Sequence, residues 1–335
     1  MGIQAIIPQQ KKRDTIVFTY SLFTNDDKLI LAPMQNLTSL FFRKNFSRFF
    51  PQNIDYAFSP FISATENTKK ENSPLFKDIL PIENKNSMMV VPQILGSNAK
   101  QIVDCAKVIE RLGYREINLN MGCPKRDIVS HNRGAGLLKD SELLKEIIES
   151  LLNNTTLSIS LKVRLGIDSD KELENLVPLL NNYPLKSITI HPRYQKQQYE
   201  GEVNLVSFEH FAKELKHTII YNGDIFSVED FTRLKTQFPY ITHWMIGRGA
   251  LMNPFLFAQI RGIPYNEKEI LIPYLKGLQQ GFASSLLRYN ENTILSKMKE
   301  FAKYLAIHYE FDATPLLRES NLSQFNKALY AIFIS

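Results

Sequence analysis

The chain of 335 residues holds only two cysteines, Cys105 and Cys123. Two such thiols make neither a disulfide framework nor a cysteine metal cluster, so the expectation is a reduced, cytoplasmic protein with no metal site. Long apolar runs are also missing, and no stretch has the length of a membrane span. The opening MGIQAIIPQQKKRD lacks the apolar core of a secretory signal, and Ile6 stands where a myristoylation signal needs Ser or Thr. There is no internal repeat beyond the alternation described below, and no low-complexity tract. Neither sign of charge dominates: 40 Lys and Arg face 34 Asp and Glu, a net charge of +6 with a pI near 9.0. That balance permits a nucleic-acid partner without requiring one.

What is present is a soluble, globular composition, 44 % apolar and 22 % charged, in a chain long enough to bury a sizeable core. From residue 28 to about 255, β-rich runs alternate with helical patterns. The predicted strands are Leu29–Met34, Asp55–Ile62, Met89–Leu95, Glu116–Gly122, Leu157–Arg164, Ser187–Arg193, Thr218–Ile225 and His243–Gly249. Between them, DSELLKEIIESLL offers Asp140 or Ser141 as an N-cap, with Leu143, Leu144, Ile147, Ile148 and Leu151 on one face. Eight strand–helix units predict an α/β fold, a (β/α)8 TIM barrel, followed by a small C-terminal helical domain. A doubly wound open sheet is the alternative, but LAPMQN is not the Gly-rich turn such a sheet usually carries after its first strand. The expected division is an N-terminal extension over 1–27, partly disordered, a barrel over 28–260 and helices over 261–335. In the last part Ile294, Met298, Phe301, Leu305 and Tyr309 mark one apolar stripe.

A barrel of this kind works at the C-terminal ends of its strands. Period-2 alternation turns Asn118 and Asn120, Lys162 and Arg164, and Thr189, His191 and Arg193 inward, and Gln93 lies near the end of its strand. A single inward Asn, Gln or His is ordinarily a hydrogen-bonded core residue. A strand Lys two residues before a strand Arg is harder to place in a core, and the whole set at one mouth reads as a ligand site. After the seventh and eighth strands, YNGDIF and IGRGAL put Gly223, Gly247, Gly249 and Arg248 where this fold usually binds phosphate. Cys123 stands just past the end of an apolar strand, on a turn, where a buried structural thiol does not belong. Cys105, inside QIVDCAKVIERLG, reads as helix packing.

Taken in order, these motifs resemble the tRNA-dihydrouridine synthase family over about residues 29–257, and the helical tail is similar in size and place to that family's small RNA-binding domain. The matching residues are Ala32-Pro33-Met34, Gln93, Asn120-Met121-Gly122-Cys123-Pro124 with Gly134-Ala135-x-Leu137-Leu138 behind it, Lys162 and Arg164, the set His191, Arg193, Gln197, Tyr199 and Gly201, then Asn222-Gly223-Asp224, and Gly247-Arg248. Asn36, Ser39, Arg133 and Pro192 depart from the usual pattern. The resemblance implies an FMN-dependent oxidoreductase, reduced by NADPH, that saturates the carbon 5–carbon 6 bond of a tRNA uridine. It implies Cys123 as the acid that protonates carbon 5. Pro33, Met34, Gln93, Lys162, His191, Asn222, Gly223, Asp224, Gly247 and Arg248 would bind the cofactor, with Lys162 at the flavin's electron-rich edge. Asn120, Arg164 and Arg193 would meet the substrate, and the tail would hold the tRNA. The expected enzyme is a monomer with no membrane and no obligate protein partner. Two other readings stay open: a dihydroorotate or dihydropyrimidine dehydrogenase-like flavin barrel acting on a free pyrimidine, and a non-catalytic tRNA-binding protein.

Overall fold

The computed structural model describes residues 22–71, 73–284 and 289–334, together with the backbone of 6–10 and 16–20. Those two short segments, expected to belong to a partly disordered extension, pair as an antiparallel hairpin, Ile6–Gln10 with Ile16–Tyr20. The rest of the extension before residue 22 lies outside the described residues.

The barrel strands are β1 (Lys28–Leu31), β2 (Tyr56–Phe58, then Ile62–Ser63), β3 (Val90–Val91, then Gln93–Leu95), β4 (Glu116–Met121), β5 (Ser158–Gly166), β6 (Ser187–Tyr194), β7 (Thr218–Asn222) and β8 (His243–Ile246). Every pairing among them is parallel, and β8 pairs back onto β1. Strands β2 and β3 are each broken in two. Pro92, which has no N–H to give a ladder, sits at the break in β3, and there the Gln93 N–H donates to Ser59 Oγ at 3.1 Å instead of to a strand carbonyl.

The helices used below are α1 (Leu40–Phe49), α2 (Ala99–Arg111), α3 (Ser141–Asn154), α4 (Arg248–Met252), α5 (Glu267–Ala283), α6 (Glu291–Tyr309) and α7 (Leu322–Ile334). Asp140 is the N-cap of α3, its Oδ1 accepting the Leu143 N–H at 2.9 Å, and of the predicted stripe, Leu144, Ile147, Ile148 and Leu151 are buried while Leu143 is half-buried. Cys105 is buried in α2, as expected.

The barrel interior divides by chemistry. Ile30, Ala32, Phe58, Val91, Ile220 and Met245 form a small apolar plug from β1, β2, β3, β7 and β8. The side built by β3, β4, β5 and β6 is filled by buried Gln93, Asn118, Ser160, Thr189, Arg164, His191 and Arg193. Polar groups at that depth require partners. Gln93 Nε2 donates to Asn118 Oδ1 at 2.7 Å, Asn118 Nδ2 to Ser160 Oγ at 3.1 Å, and Asn120 Nδ2 to Gln93 Oε1 at 2.7 Å.

The C-terminal helices share the barrel's apolar core. Phe301 of α6 stacks on Phe42 of α1, centroids 5.7 Å apart and planes 6° apart. The Asn45 amide donates to the Tyr274 carbonyl at 2.9 Å, and Gly277 is required there because a Cβ would come within 2.2 Å of Asn45 Oδ1. Of the predicted stripe on α6, Ile294, Met298, Phe301 and Leu305 are buried, while Tyr309 packs against Phe333 of α7.

Candidate active site

At the C-terminal ends of the strands lies a cavity of about 320 Å³, lined by residues from the loop after β1 and from β4, β5, β6, β7, β8, α4 and α6. The loop after β4 carries Cys123 to its wall, and four groups of neighbours latch that loop. Asn120 Oδ1 accepts the N–H of Gly122 at 3.1 Å and of Cys123 at 2.9 Å. Arg164 Nε donates to the Gly122 carbonyl at 3.0 Å. The amides of Gln195 and Gln198 donate to the Pro124 carbonyl at 2.6 and 2.9 Å. The Ala135 N–H donates to the Cys123 carbonyl at 3.1 Å, which needs Gly134 at φ +57°, since a Cβ there would stand 2.8 Å from that same oxygen. The GAGLL segment is thus the back of the cysteine loop. Burial raises the Cys123 thiol above its ordinary pKa, with Lys125 and Arg164 pulling the other way, so the sulfur keeps its proton at neutral pH.

Beside it, Lys162 is half-buried, and its ammonium has no hydrogen-bond partner among the described residues. Burial, and then the Arg164 charge, lower its pKa to about 7. A cation placed so is completed by an electron-rich ligand. His191 Nε2 faces Arg193 Nη1 at 3.2 Å. Because an arginine can only donate, that nitrogen accepts and Nδ1 carries the proton. Burial and the nearby Arg164, Lys162, Arg193 and Arg248 hold His191 well below its usual pKa, so it stays neutral.

Opposite stand the loops after β7 and β8. The N–H groups of Gly223, Asp224 and Gly247 have no acceptor among the described residues, and all three residues line the cavity. The Asp224 carboxylate is engaged elsewhere: it accepts Arg193 Nη1 at 2.9 Å and Arg248 Nη2 at 2.6 Å. Arg248 also donates to the Tyr199 carbonyl at 3.2 Å, and its guanidinium lies 5.3 Å from both the Tyr199 and Phe226 rings. These contacts fix a cation at the edge of three free donors, a built seat for an anion.

Twelve of the sequence-predicted residues meet in this one cavity: Pro33, Met34, Asn120, Cys123, Lys162, Arg164, His191, Asn222, Gly223, Asp224, Gly247 and Arg248. Gln93 and Arg193 do not line it. Gln93 lies one layer deeper, 0 % exposed, and holds Asn120, while Arg193 is closed off by Asp224, His191 and the carbonyls of Glu200 and Gly201. Arg164 faces the cavity, but its donors are taken by the carbonyls of Gly122, Tyr194 and Gln198. Phe226 and Tyr304 belong to the wall and were not singled out from the sequence. Among the departures, Asn36 has φ +67°, the region that favours glycine and that Asn tolerates. Ser39 leaves its N-cap duty to Asp78, whose Oδ1 accepts the Leu40 N–H at 2.8 Å.

A loop thiol, an ammonium with no partner among the described residues and a cluster of free backbone N–H groups beside Arg248 line one cavity at the C-terminal mouth of a βα barrel, the place where enzymes of this fold bind their ligands. The model of the dihydrouridine synthase family matches residues 30–327. A probable tRNA-dihydrouridine synthase of Rickettsia typhi is 30 % identical over 235 residues, covering 69 % of each chain. One of Helicobacter pylori is 32 % identical over 250 residues, covering 71 % of each. The tRNA-dihydrouridine synthase B of Vibrio parahaemolyticus is 26 % identical and spans 88 % of this chain and 94 % of its own. Among solved structures, a morphinone reductase mutant in complex with tetrahydroNAD superposes with a TM-score of 0.51 at 9 % identity, covering 71 % of this chain and 87 % of that one. A 2-naphthoyl-CoA reductase complex gives 0.53 at 10 %, covering 72 % and 51 %. At such identity these two establish the barrel fold alone. The chain belongs to the dihydrouridine synthase family and is an oxidoreductase.

Proposed function

We propose that this enzyme reduces a uridine in tRNA to 5,6-dihydrouridine, with FMN as its bound cofactor, NADPH as the reductant and Cys123 as the proton donor. The observation that carries the reading is the placing of a protonated, backbone-latched thiol and a partnerless lysine on one wall of a cavity whose other wall is an anion seat. The residues fit FMN. The free N–H groups of Gly223, Asp224 and Gly247, with Arg248, suit its phosphate; Lys162 suits the electron-rich edge of its ring; Ala32, Met34, Met245 and Ile246 offer the ring an apolar side. When bound, FMN supplies the hydride that saturates carbon 6.

The protein's own part is to orient the base, exclude water and move one proton from Cys123 Sγ to carbon 5 of the uracil. Neutral His191, with its proton on Nδ1, and Asn120 offer hydrogen bonds to the base or the cofactor. The target base must leave its stack to enter, and the helices after residue 261 are the elements we assign to holding the tRNA beside the mouth. That role is better tested by surface substitution than by truncation, because removing the helices would expose Phe42 and Phe46. The test of the whole reading is purified protein with NADPH and total tRNA from a bacterial strain lacking its dihydrouridine synthases. Flavin absorbance and new dihydrouridine are expected; protein that neither carries nor takes up FMN, or forms no dihydrouridine, overturns it.

A further inference from the structure

One wall residue of the cavity comes from outside the barrel. Tyr304 lies on α6, three positions after Phe301, whose ring is fixed on Phe42, and next to buried Leu305. Seven residues earlier on the same helix, Lys297 Nζ donates to the Asn36 carbonyl at 3.3 Å, in the loop that also supplies Pro33 and Met34 to the cavity. The helix is therefore pinned across the barrel mouth on both sides of the position from which Tyr304 projects. The phenol is half-buried, its electrostatic neighbours are Glu300, Tyr199 and Arg248, and its hydroxyl has no hydrogen-bond partner among the described residues. Tyr199 across the mouth is 53 % exposed, which places this pair at the rim, outside the N–H groups of Gly223 and Gly247. A phenol held in a cavity wall with no acceptor is a binding group awaiting its ligand.

We propose that Tyr304 is a substrate-binding residue, its hydroxyl hydrogen-bonding the sugar–phosphate of the nucleotide whose base enters the cavity. The C-terminal helices would then complete the active site, and a docked RNA would be sensed at the rim through α6. This inference rests on the uridine-reduction reading above. It is tested with Tyr304→Phe, which keeps the ring packing and removes only the hydroxyl, assayed with the same dihydrouridine-free total tRNA. Loss of one such bond should raise KM and the Kd for tRNA about three- to tenfold, with kcat changed less than about twofold. FMN affinity, NADPH oxidation and Tm should stay at wild-type values. An unchanged KM and Kd overturns the inference, and so does a selective loss of FMN affinity, which would give the phenol to the cofactor's phosphate. Wild-type protein that neither binds nor reduces this tRNA would bring down the functional reading itself, and the inference with it.

Discussion

Replacing Asn120 by alanine removes the side chain that joins the barrel interior to the Cys123 loop. Asn120 Oδ1 accepts the N–H of Gly122 and of Cys123, and its Nδ2 donates to Gln93 Oε1 at 2.7 Å. Gln93 is 0 % exposed, so its orphaned oxygen bears a desolvation cost of about 1–3 kcal/mol. The two loop N–H groups lie at the cavity wall, where water can replace the amide, and each lost bond there costs about 0.5–1.5 kcal/mol. The sum is ~2–6 kcal/mol, which for a chain of 335 residues lowers Tm by roughly 3–9 °C. Catalysis should suffer beyond stability, because Cys123 loses the bond that orients its backbone. A general acid is worth about a hundred- to ten-thousandfold, and loosening it should forfeit at least about tenfold in kcat. Thermal unfolding followed by flavin fluorescence reads the first effect; single-turnover dihydrouridine formation, well below the variant's Tm, reads the second. A variant that loses stability but keeps the wild-type single-turnover rate would refute the latch and leave Asn120 a structural residue only.

Two further outcomes follow from the titration of buried groups. Lys162 is lowered from 10.5 to about 7, so between those values the unfolded chain holds the additional proton and the stability of cofactor-stripped protein rises with pH. Lys162→Met should flatten that rise between about pH 7 and 10.5; parallel Tm–pH curves for the two proteins would contradict it. The Cys105 thiol is pushed up to about 12 by burial and is 0 % exposed, whereas Cys123 is half-buried on the cavity wall. Iodoacetamide should therefore label Cys123 alone in native protein, slowly, and Cys105 only in denaturant, as read from peptide masses; native labelling of Cys105 would contradict its place in the core.

The fold was legible because each barrel strand ends in a change of chemistry. Apolar runs give way to Asn120, Arg164 or Asn222 close to where the ladders stop. Alternation also placed the inward faces of β4, β5 and β6 correctly. It gives a face but not a depth, and for that reason Gln93 and Arg193 read like ligand residues although both sit behind the wall, bonded to the residues that form it. The breaks in β2 and β3 could be seen only as Pro60 and Pro92, residues equally compatible with an edge. Tyr304 was hidden for another reason: the stripe on α6 is defined by its apolar residues, and nothing local to the sequence says that its neighbouring face crosses the mouth of a barrel built more than fifty residues earlier. Asp224 drew notice as part of a phosphate loop, while its carboxylate serves two arginines brought together only by the closed sheet.

Cys123→Ala separates the two halves of the reaction and so tests whether the proton comes from Cys123. The substitution leaves the anion seat of Gly223, Asp224, Gly247 and Arg248 intact and keeps the Lys162 side chain, so FMN binding and NADPH oxidation by the bound flavin should match the wild type. Dihydrouridine formation in tRNA should fall by about a hundredfold or more. A Cys123→Ala enzyme whose bound flavin is reduced by NADPH at the normal rate and which also makes dihydrouridine at the wild-type rate would show that the proton is delivered by another group.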